Sequence, residues 1–430
     1  MRVLLVSSNT ERISMVTLPL GLGMVAAAAR RAGHEVAFLD ALAEADPVDA
    51  VQRAVRDFAP DVVGISVRNI DDQSRDAPRL LLAQVRPLVE ACRAATDAPI
   101  VLGGAGYSIF PAAALRYLGG DYGIAGDGEQ VFLDLLSRLE AGEDPWGLPG
   151  VHVAGRPAPP GPSFSGDLAA LPQWDAALDR VAAANPEELW IPVQGRRGCP
   201  NDCSYCSTAQ IQGRRIRTRP AQDVARHVAA LARAGHRRVF FIDNSFNIPE
   251  AWSLELCEAL RTPGTGVSWR CILYPHLVRE ELVAAMAGAG CAEVSLGFES
   301  GSLPVLRALG KRFGPEDVRS ASDLLAAHGI RRMGFLLLGG PGETRETVEE
   351  SLAFAASLAL DSLRVTVGLR IYPGTPLQER AIEEGVIATD DDLLVPRFYL
   401  APGLEPWIHE KVRPGVFPGG PAAGRAPTPF

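Results

Sequence analysis

A chain of 430 residues, 47% hydrophobic and 22% charged, is too long for one ordinary core, so two or three domains are expected. No run of about 18 apolar residues occurs, which excludes a membrane-spanning helix, and the formal charge of −9 argues against a broad nucleic-acid surface. The start, MRVLLVSSNTER, reads as a first strand rather than a leader, so a cytoplasmic protein with reduced thiols is expected.

In the first 140 residues apolar strands alternate with helices. Strands are expected at 2–8, 35–40, 61–67, 99–104 and 122–126, and helices at 21–33, 47–58 and 78–95. This alternation predicts a parallel sheet covered on both faces, whose ligands sit beyond the carboxyl ends of the strands. Those ends are Ser7–Asn9, Ser66–Asp71 and Gly103–Tyr107. Gly21-x-Gly23-x-x-Ala26 with Asp40 imitates a dinucleotide fingerprint. The fingerprint needs its tight turn directly after the strand, so these glycines read instead as room for close packing.

Residues 141–185 include the Pro/Gly-rich GRPAPPGPSFSGDLAA and read as a linker. The alternation resumes at 189–195, with further strands at 237–243, 267–273, 292–298, 331–340 and 362–370. Helices fall at 220–234, 250–261, 279–288, 302–327 and 344–358. Six such units over 186–377 predict a partial (βα)6 barrel, two units short of the full TIM barrel. Residues 378–430 form a C-terminal region. In it Phe398, Tyr399, Trp407 and His409 line a substrate entrance or pack on the barrel, and the tail from 413 reads as disordered.

The loop after the first barrel strand, RRGCPNDCSYCSTAQ, holds three of the seven cysteines: Cys199, Cys203 and Cys206. Ordinary core cysteines fit this loop spacing poorly. A structural zinc site would need a fourth ligand, from a distant His or from Cys257, Cys271 or Cys291. Soft thiolates also favour a 4Fe-4S cluster. Three cysteines would hold three irons and leave the fourth open to a substrate or cofactor.

Cys-x-x-x-Cys-x-x-Cys with Tyr205 before the last cysteine resembles the radical S-adenosylmethionine (SAM) superfamily. The likeness continues through RVFFIDNSF, VSLGFESGS, FLLLGGPGET and YPGTPL. It implies that Cys199, Cys203 and Cys206 ligate the cluster, and that SAM binds the open iron and is cleaved to a 5′-deoxyadenosyl radical. It implies SAM contacts from Tyr205, Asp243, Asn244 and Glu299, with Gly339 and Gly340 letting the backbone approach. Alternatively Tyr205 fills a gap, Asp243 caps a helix, and the glycine pair makes an ordinary turn.

The N-terminal segments LPLGLGMVAAAARRAGHEV, VVGISV, IVLGGAGYSIFP and GIAGDGEQVFLDLL resemble the cobalamin-binding domain of cobalamin-dependent radical SAM enzymes. The implied organisation is α/β throughout: a Rossmann-like cobalamin domain over 1–140, the linker, the radical SAM barrel and the C-terminal region. Asn9, Ser66, Arg68, Asn69, Gly103, Gly104, Gly126 and Glu129 are the residues implied to face cobalamin. The Asp-x-His-x-x-Gly motif is absent and His34 reads as a surface cap, so cobalamin is expected without a histidine on cobalt. The resemblance implies a C-methyltransferase acting on an unactivated sp³ carbon of a small biosynthetic intermediate or a peptide, reduced by an external donor such as flavodoxin or ferredoxin. Radical cyclisation, ring contraction or oxidation without methyl transfer, or a non-catalytic iron–sulfur electron-transfer protein, are the alternatives.

Overall fold

Runs such as VLLV and VVGI carry no polar side chain to place in water, so their strands must be covered on both faces. The computed structural model describes residues 1–12, 16, 18–174, 189–261 and 265–412. They divide into two units. The first comprises Met1–Asn185, Ser207–Arg217 and Asp392–Pro396; the second comprises Pro186–Cys206, Thr218–Asp391 and Arg397–Phe430.

In the first unit the order is β1 (Arg2–Ser7), α1 (Leu20–Arg31), β2 (Glu35–Asp40), α2 (Pro47–Phe58), β3 (Val62–Ser66), α3 (Leu82–Ala95) and β4 (Ile100–Gly103). Then come α4 (Ala105–Ile109), α5 (Pro111–Leu118), β5 (Tyr122–Ile124), α6 (Gly128–Glu140) and β6 (Val151–Val153). The sheet order is β2-β1-β3-β4-β5-β6. The first five strands are parallel, and β6 is antiparallel to β5. Strand order reverses between β1 and β3, which opens a crevice beyond their carboxyl ends.

Local chemistry sets the helix limits. Asp46 caps α2 by accepting the Val48 and Asp49 amides, and Pro47 follows at the first turn. Gly33, at φ +91°, ends α1 in the left-handed region that only glycine adopts cheaply. At Gly23 a Cβ would lie 2.1 Å from the Trp174 ring, so this glycine makes room for a buried indole.

The segment expected to be a linker belongs in part to this sheet. Val151–Val153 forms its edge strand, and Ser163 bridges Gly126. A three-residue strand is too short to show a periodicity of its own. The end of the expected linker, 175–185, lies outside the described residues, as do 186–188 and the tail from 413.

The second unit begins with β7 (Ile191–Val193) and β8 (Arg196–Arg197). After α7 (Thr208–Gln212), which belongs to the first unit, come β9 (Arg217–Thr218), α8 (Ala221–Arg233), β10 (Arg238–Phe241), α9 (Glu250–Leu260) and β11 (Ser268–Leu273). They are followed by α10 (Glu280–Gly288), β12 (Cys291–Glu299), α11 (Leu303–Ala308), α12 (Pro315–Ala327), β13 (Arg331–Leu338), α13 (Arg345–Ser357) and β14 (Ser362–Val367). Six parallel strands lie in the order β7-β10-β11-β12-β13-β14, each beside its predecessor. This is the expected six-unit parallel sheet.

The two faces of that sheet differ. Cys271, Leu273, Val294, Leu296, Phe298, Leu336 and Leu338 are fully buried. Burying each large apolar side chain contributes about 1.5–3 kcal/mol, so this face is the hydrophobic core. The alternate residues Ser295, Gly297, Glu299, Phe335 and Leu337 are only half-buried. Packing does not account for polar and glycine residues there; a site on that face does.

The C-terminal residues pack. In β15 (Leu369–Arg370), α14 (Pro376–Glu383), β16 (Phe398–Tyr399) and α15 (Trp407–Lys411), β16 pairs with β15. Buried Tyr399 donates its hydroxyl to Glu384 at 2.7 Å. The Trp407 ring lies under Arg345 of α13 at 5.4 Å, and His409 stays near Glu405 at 3.9 Å.

Candidate active site

Cys199, Cys203 and Cys206 leave the carboxyl end of β7 in a loop that is tied down on both sides. Ser204 donates its amide to the Leu309 carbonyl at 3.0 Å and accepts from the Leu377 amide at 2.9 Å. Gly310, at φ +73°, approaches so closely that a Cβ would lie 2.4 Å from the Asp202 carbonyl. None of the three thiols is in a disulfide, and all three are half-buried. Burial raises the pKa of Cys199 and of Cys203; the other loop thiols push the same way, and Lys311 pulls both back down. A three-thiol loop in which Cys199 and Cys203 feel their neighbours and a buried ammonium suits a polyanionic iron–sulfur cluster. Among the described residues no three His, Cys, Asp or Glu side chains converge on a single-ion site. Thiolates spread around a cubane need no such convergence.

Lys311 was not visible as a site residue. Its side chain is 5% exposed. Nζ donates to the Tyr205 hydroxyl at 3.0 Å and to Glu299 Oε1 at 3.3 Å, and the same hydroxyl donates to Glu299 Oε1 at 2.9 Å. Burial opposes the ammonium charge, yet Tyr205 and Glu299 outweigh it and hold the Lys311 pKa well above its usual value. Burial drives the Tyr205 phenol upward, with Glu299 adding to the effect. Glu299 itself has φ +64°, at a register shift between β12 and β13. A non-glycine residue held there costs about 1–3 kcal/mol, a strain that clusters at functional sites. Tyr205 and Glu299, both expected at SAM, are therefore brought together with Lys311 beside the cysteine loop.

Asp243 is 1% exposed and caps no helix. Its Oδ1 accepts the Gly195 and Arg196 amides, each at 2.9 Å, and its Oδ2 faces Arg196 Nε at 3.4 Å. Arg196 also donates to the Phe246 and Ile248 carbonyls. Burial raises the Asp243 pKa, and Arg196 opposes the rise. Asp243 thus fixes the segment from which the cysteine loop departs. Asn244 reaches the Gly198 carbonyl at 3.5 Å, one residue before Cys199.

Gly339 and Gly340 do make a turn. Gly339 has φ +93°, and a Cβ there would meet Leu400 at 2.4 Å. Both amides donate to Glu343 Oε2, the Gly340 amide at 3.0 Å. Glu343 is 3% exposed, its Oε1 has no hydrogen-bond partner, and burial raises its pKa to about 7 against the pull of the two amides. Glu343 too escaped the sequence reading, although GGPGET already displayed it.

In the first unit the loops after β1, β3 and β4 are stitched together. Ser8 donates both its amide and its hydroxyl to the Ser66 carbonyl. The Val67 amide donates to the Gly103 carbonyl at 2.7 Å, and the Gly106 amide to the Val67 carbonyl at 3.0 Å. Gly104, at φ +102°, has no space for a Cβ, which would lie 2.5 Å from the Val67 carbonyl. At Gly103 a Cβ would lie 3.8 Å from the Ile124 carbonyl, an ordinary contact, so that position is not crowded. Asn9 donates to the Glu11 carbonyl at 3.1 Å. Arg68 is exposed, although nearby protein bulk lowers its guanidinium pKa. With its amide correctly oriented, Asn69 accepts from Arg68 at 3.2 Å.

Gly126 has a different cause from a ligand approach: a Cβ would lie 2.1 Å from the Ser163 carbonyl. Glu129 is 2% exposed in the first turn of α6. His34 interacts with the N-terminal amine through Nδ1 at 3.3 Å and stands at the amino end of β2, the opposite end from the stitched loops. A rigid edge of backbone, glycine and amide side chains is suited to a large, hydrogen-bonding ligand such as a corrinoid with amide arms.

A B12-binding domain model matches residues 8–136, and a radical SAM superfamily model matches residues 193–355. An uncharacterized methyltransferase of Pyrococcus horikoshii is 27% identical over 405 residues, covering 90% of this chain and 85% of its own. Tryptophan 2-C-methyltransferase of Streptomyces laurentii is 25% identical over 449 residues, covering 87% of this chain and 74% of its own. The structure of the radical S-adenosylmethionine methyltransferase TsrM of Kitasatospora setae, with cobalamin and a [4Fe-4S] cluster bound, superposes with a TM-score of 0.80. It shares 25% identity, with 89% of this chain and 78% of that chain covered.

Proposed function

We propose that this chain, which belongs to the cobalamin-dependent radical SAM enzymes, transfers a methyl group to a carbon atom of a small-molecule substrate. The observation that carries this reading is the pairing in one chain of a three-thiol loop with a glycine-built sheet edge, in a sequence that matches methyltransferases over most of its length. When bound, the reduced cluster with SAM supplies radical chemistry and cobalamin carries the methyl group.

Cys199, Cys203 and Cys206 would hold the cluster. Arg196 and Asp243 fix the start of their loop, and the 309–312 segment fixes its middle. Tyr205, Glu299 and Lys311 form a hydrogen-bonded group beside it that would receive the polar parts of SAM, with Asn244 nearby. The Gly339–Gly340 turn, held by Glu343, would give SAM a backbone surface. Asn9, Ser66, Arg68, Asn69, Gly103 and Gly104 would meet the corrinoid; Gly126 and Glu129 support that edge from the start of α6. The chain carries no histidine at the stitched loops, which supports a corrinoid bound without one on cobalt. Holding an acceptor carbon in register with the reacting groups is the protein's main catalytic contribution. A flavodoxin or ferredoxin would deliver the electron. Among the described residues no helix is long and apolar enough to cross a membrane.

The test uses the reconstituted full chain, cobalamin, a reductant and SAM bearing a deuterated methyl group, screened against small molecules and peptides. Methyl transfer gives labelled product and equal S-adenosylhomocysteine, with 5′-deoxyadenosine alongside when the acceptor carbon is unactivated. Unlabelled product with 5′-deoxyadenosine and no S-adenosylhomocysteine would establish cyclisation or rearrangement instead.

A further inference from the structure

The chain leaves the cysteine loop at Cys206, and the next eleven residues, Ser207–Arg217, belong to the first unit. One buried ion pair anchors their far end. Arg217 and Asp127, each with a side chain 6% exposed, form a direct salt bridge. The same guanidinium donates to the Ser165 carbonyl at 2.7 Å and to the Gln212 carbonyl at 2.6 Å, and it lies 5.4 Å from the Phe164 ring centroid. Asp127 accepts the Ser165 amide at 2.9 Å. Gly213, at φ +76°, lets the segment turn against that ring, where a Cβ would be 3.1 Å away.

The places that hold this segment matter. Asp127 lies between Gly126 and the first turn of α6. Helix α7, within the segment, lies against α4, which follows directly on Gly103 and Gly104. The loops assigned to the corrinoid are thus the loops that grip the residues following Cys206. A ligand that orders those loops would also order the segment, because α7 packs on α4 and Arg217 is hydrogen-bonded to Asp127 and Ser165 beside Gly126.

We infer that Arg217 is a positioning residue that couples corrinoid occupancy of the first unit to the cysteine loop. The inference rests on the proposed corrinoid site. Breaking a buried pair leaves one charge uncompensated, so the anchor is either intact or released, as a coupling element requires.

Hydrogen–deuterium exchange on the full chain with its reconstituted cluster, with and without cobalamin, tests this. Corrinoid retention is measured separately by absorbance. Cobalamin is expected to slow exchange in the peptide covering 207–217 by about five-fold or more, the lower end of ordinary site-to-site coupling. Arg217→Met should bind cobalamin yet show less than about two-fold slowing, and Arg217→Lys should recover part of it. Should Arg217→Met fail to fold, Asp127→Asn, which keeps the side chain's shape, carries the same expectation. Cobalamin retained by the wild type without protection of 207–217 overturns the coupling alone. Equal protection in wild type and Arg217→Met also overturns it. Failure of the wild type to retain any corrinoid overturns the corrinoid site and this inference together.

Discussion

The two parallel sheets present different kinds of edge at their carboxyl ends. In the first unit the edge is mostly uncharged apart from Arg68, built from backbone bonds such as Val67 to Gly103 and from glycines at 103, 104 and 106, with its ion pair, Arg217 on Asp127, behind it at the start of α6. In the second it is ionic, with Asp243 on Arg196, Glu299 on Lys311, and Glu343 on two backbone amides. Both are rigid, for different reasons. A neutral edge suits a bulky ligand recognised through many dispersed hydrogen bonds. An ionic edge suits a cluster and a zwitterionic cosubstrate whose charges must be met in a low-dielectric place.

The largest effect should come from separating the two edges chemically. Cys203→Ala removes one of the thiolates proposed to hold the cluster, on the ionic edge. Iron is expected to fall from about four per chain, with the brown chromophore and SAM cleavage lost, while cobalamin retention stays at the wild-type level. Full iron content in the variant, or stoichiometric zinc in anaerobically purified wild type, would refute the cluster assignment.

Lys311→Met sharpens the contrast within the ionic edge. It leaves Glu299 without its cation, and breaking a buried pair of this kind costs about 3–5 kcal/mol. It also removes the charge that favours the Cys199 and Cys203 thiolates, so cluster assembly should slow. Lys311→Arg should restore much of both. Urea unfolding and the rate of iron uptake are the measurements; a methionine variant as stable as wild type would show that the pair does not hold the site.

What the sequence made legible follows from how far each signal reaches along the chain. The apolar strands and the cysteine spacing are local, and both are readable. Lys311 is not: its partner Tyr205 is 106 residues away, and a lone lysine after a helix looks like any surface charge. Nor is β6 readable, because only pairing with β5 makes VHV a strand. Asp243 was readable as a polar strand end, but its hydrogen bonds to Gly195 and Arg196 depend on how β7 and β10 align. The Arg217–Asp127 bond spans 90 residues, and nothing in QGRRIRTRP distinguishes that arginine from its neighbours.

The smallest effect concerns Glu343, an acid of the second unit that no cation faces among the described residues. Burial raises its pKa from 4.5 to about 7, so between those values the folded chain binds its proton more tightly than the unfolded chain does. The carboxyl therefore contributes stability that is complete below about pH 4.5 and is lost as pH rises through about 7, by up to about 3 kcal/mol. Glu343→Gln keeps an oxygen for the Gly339 and Gly340 amides and removes the titration. Urea unfolding at pH 5 and pH 8 should then show wild type losing more stability than the variant across the interval. Parallel losses would mean that the two amides suffice to keep the carboxylate charged. An ionic edge could then do without a cation at this turn, and backbone donors would be doing in the barrel what they do in the first unit.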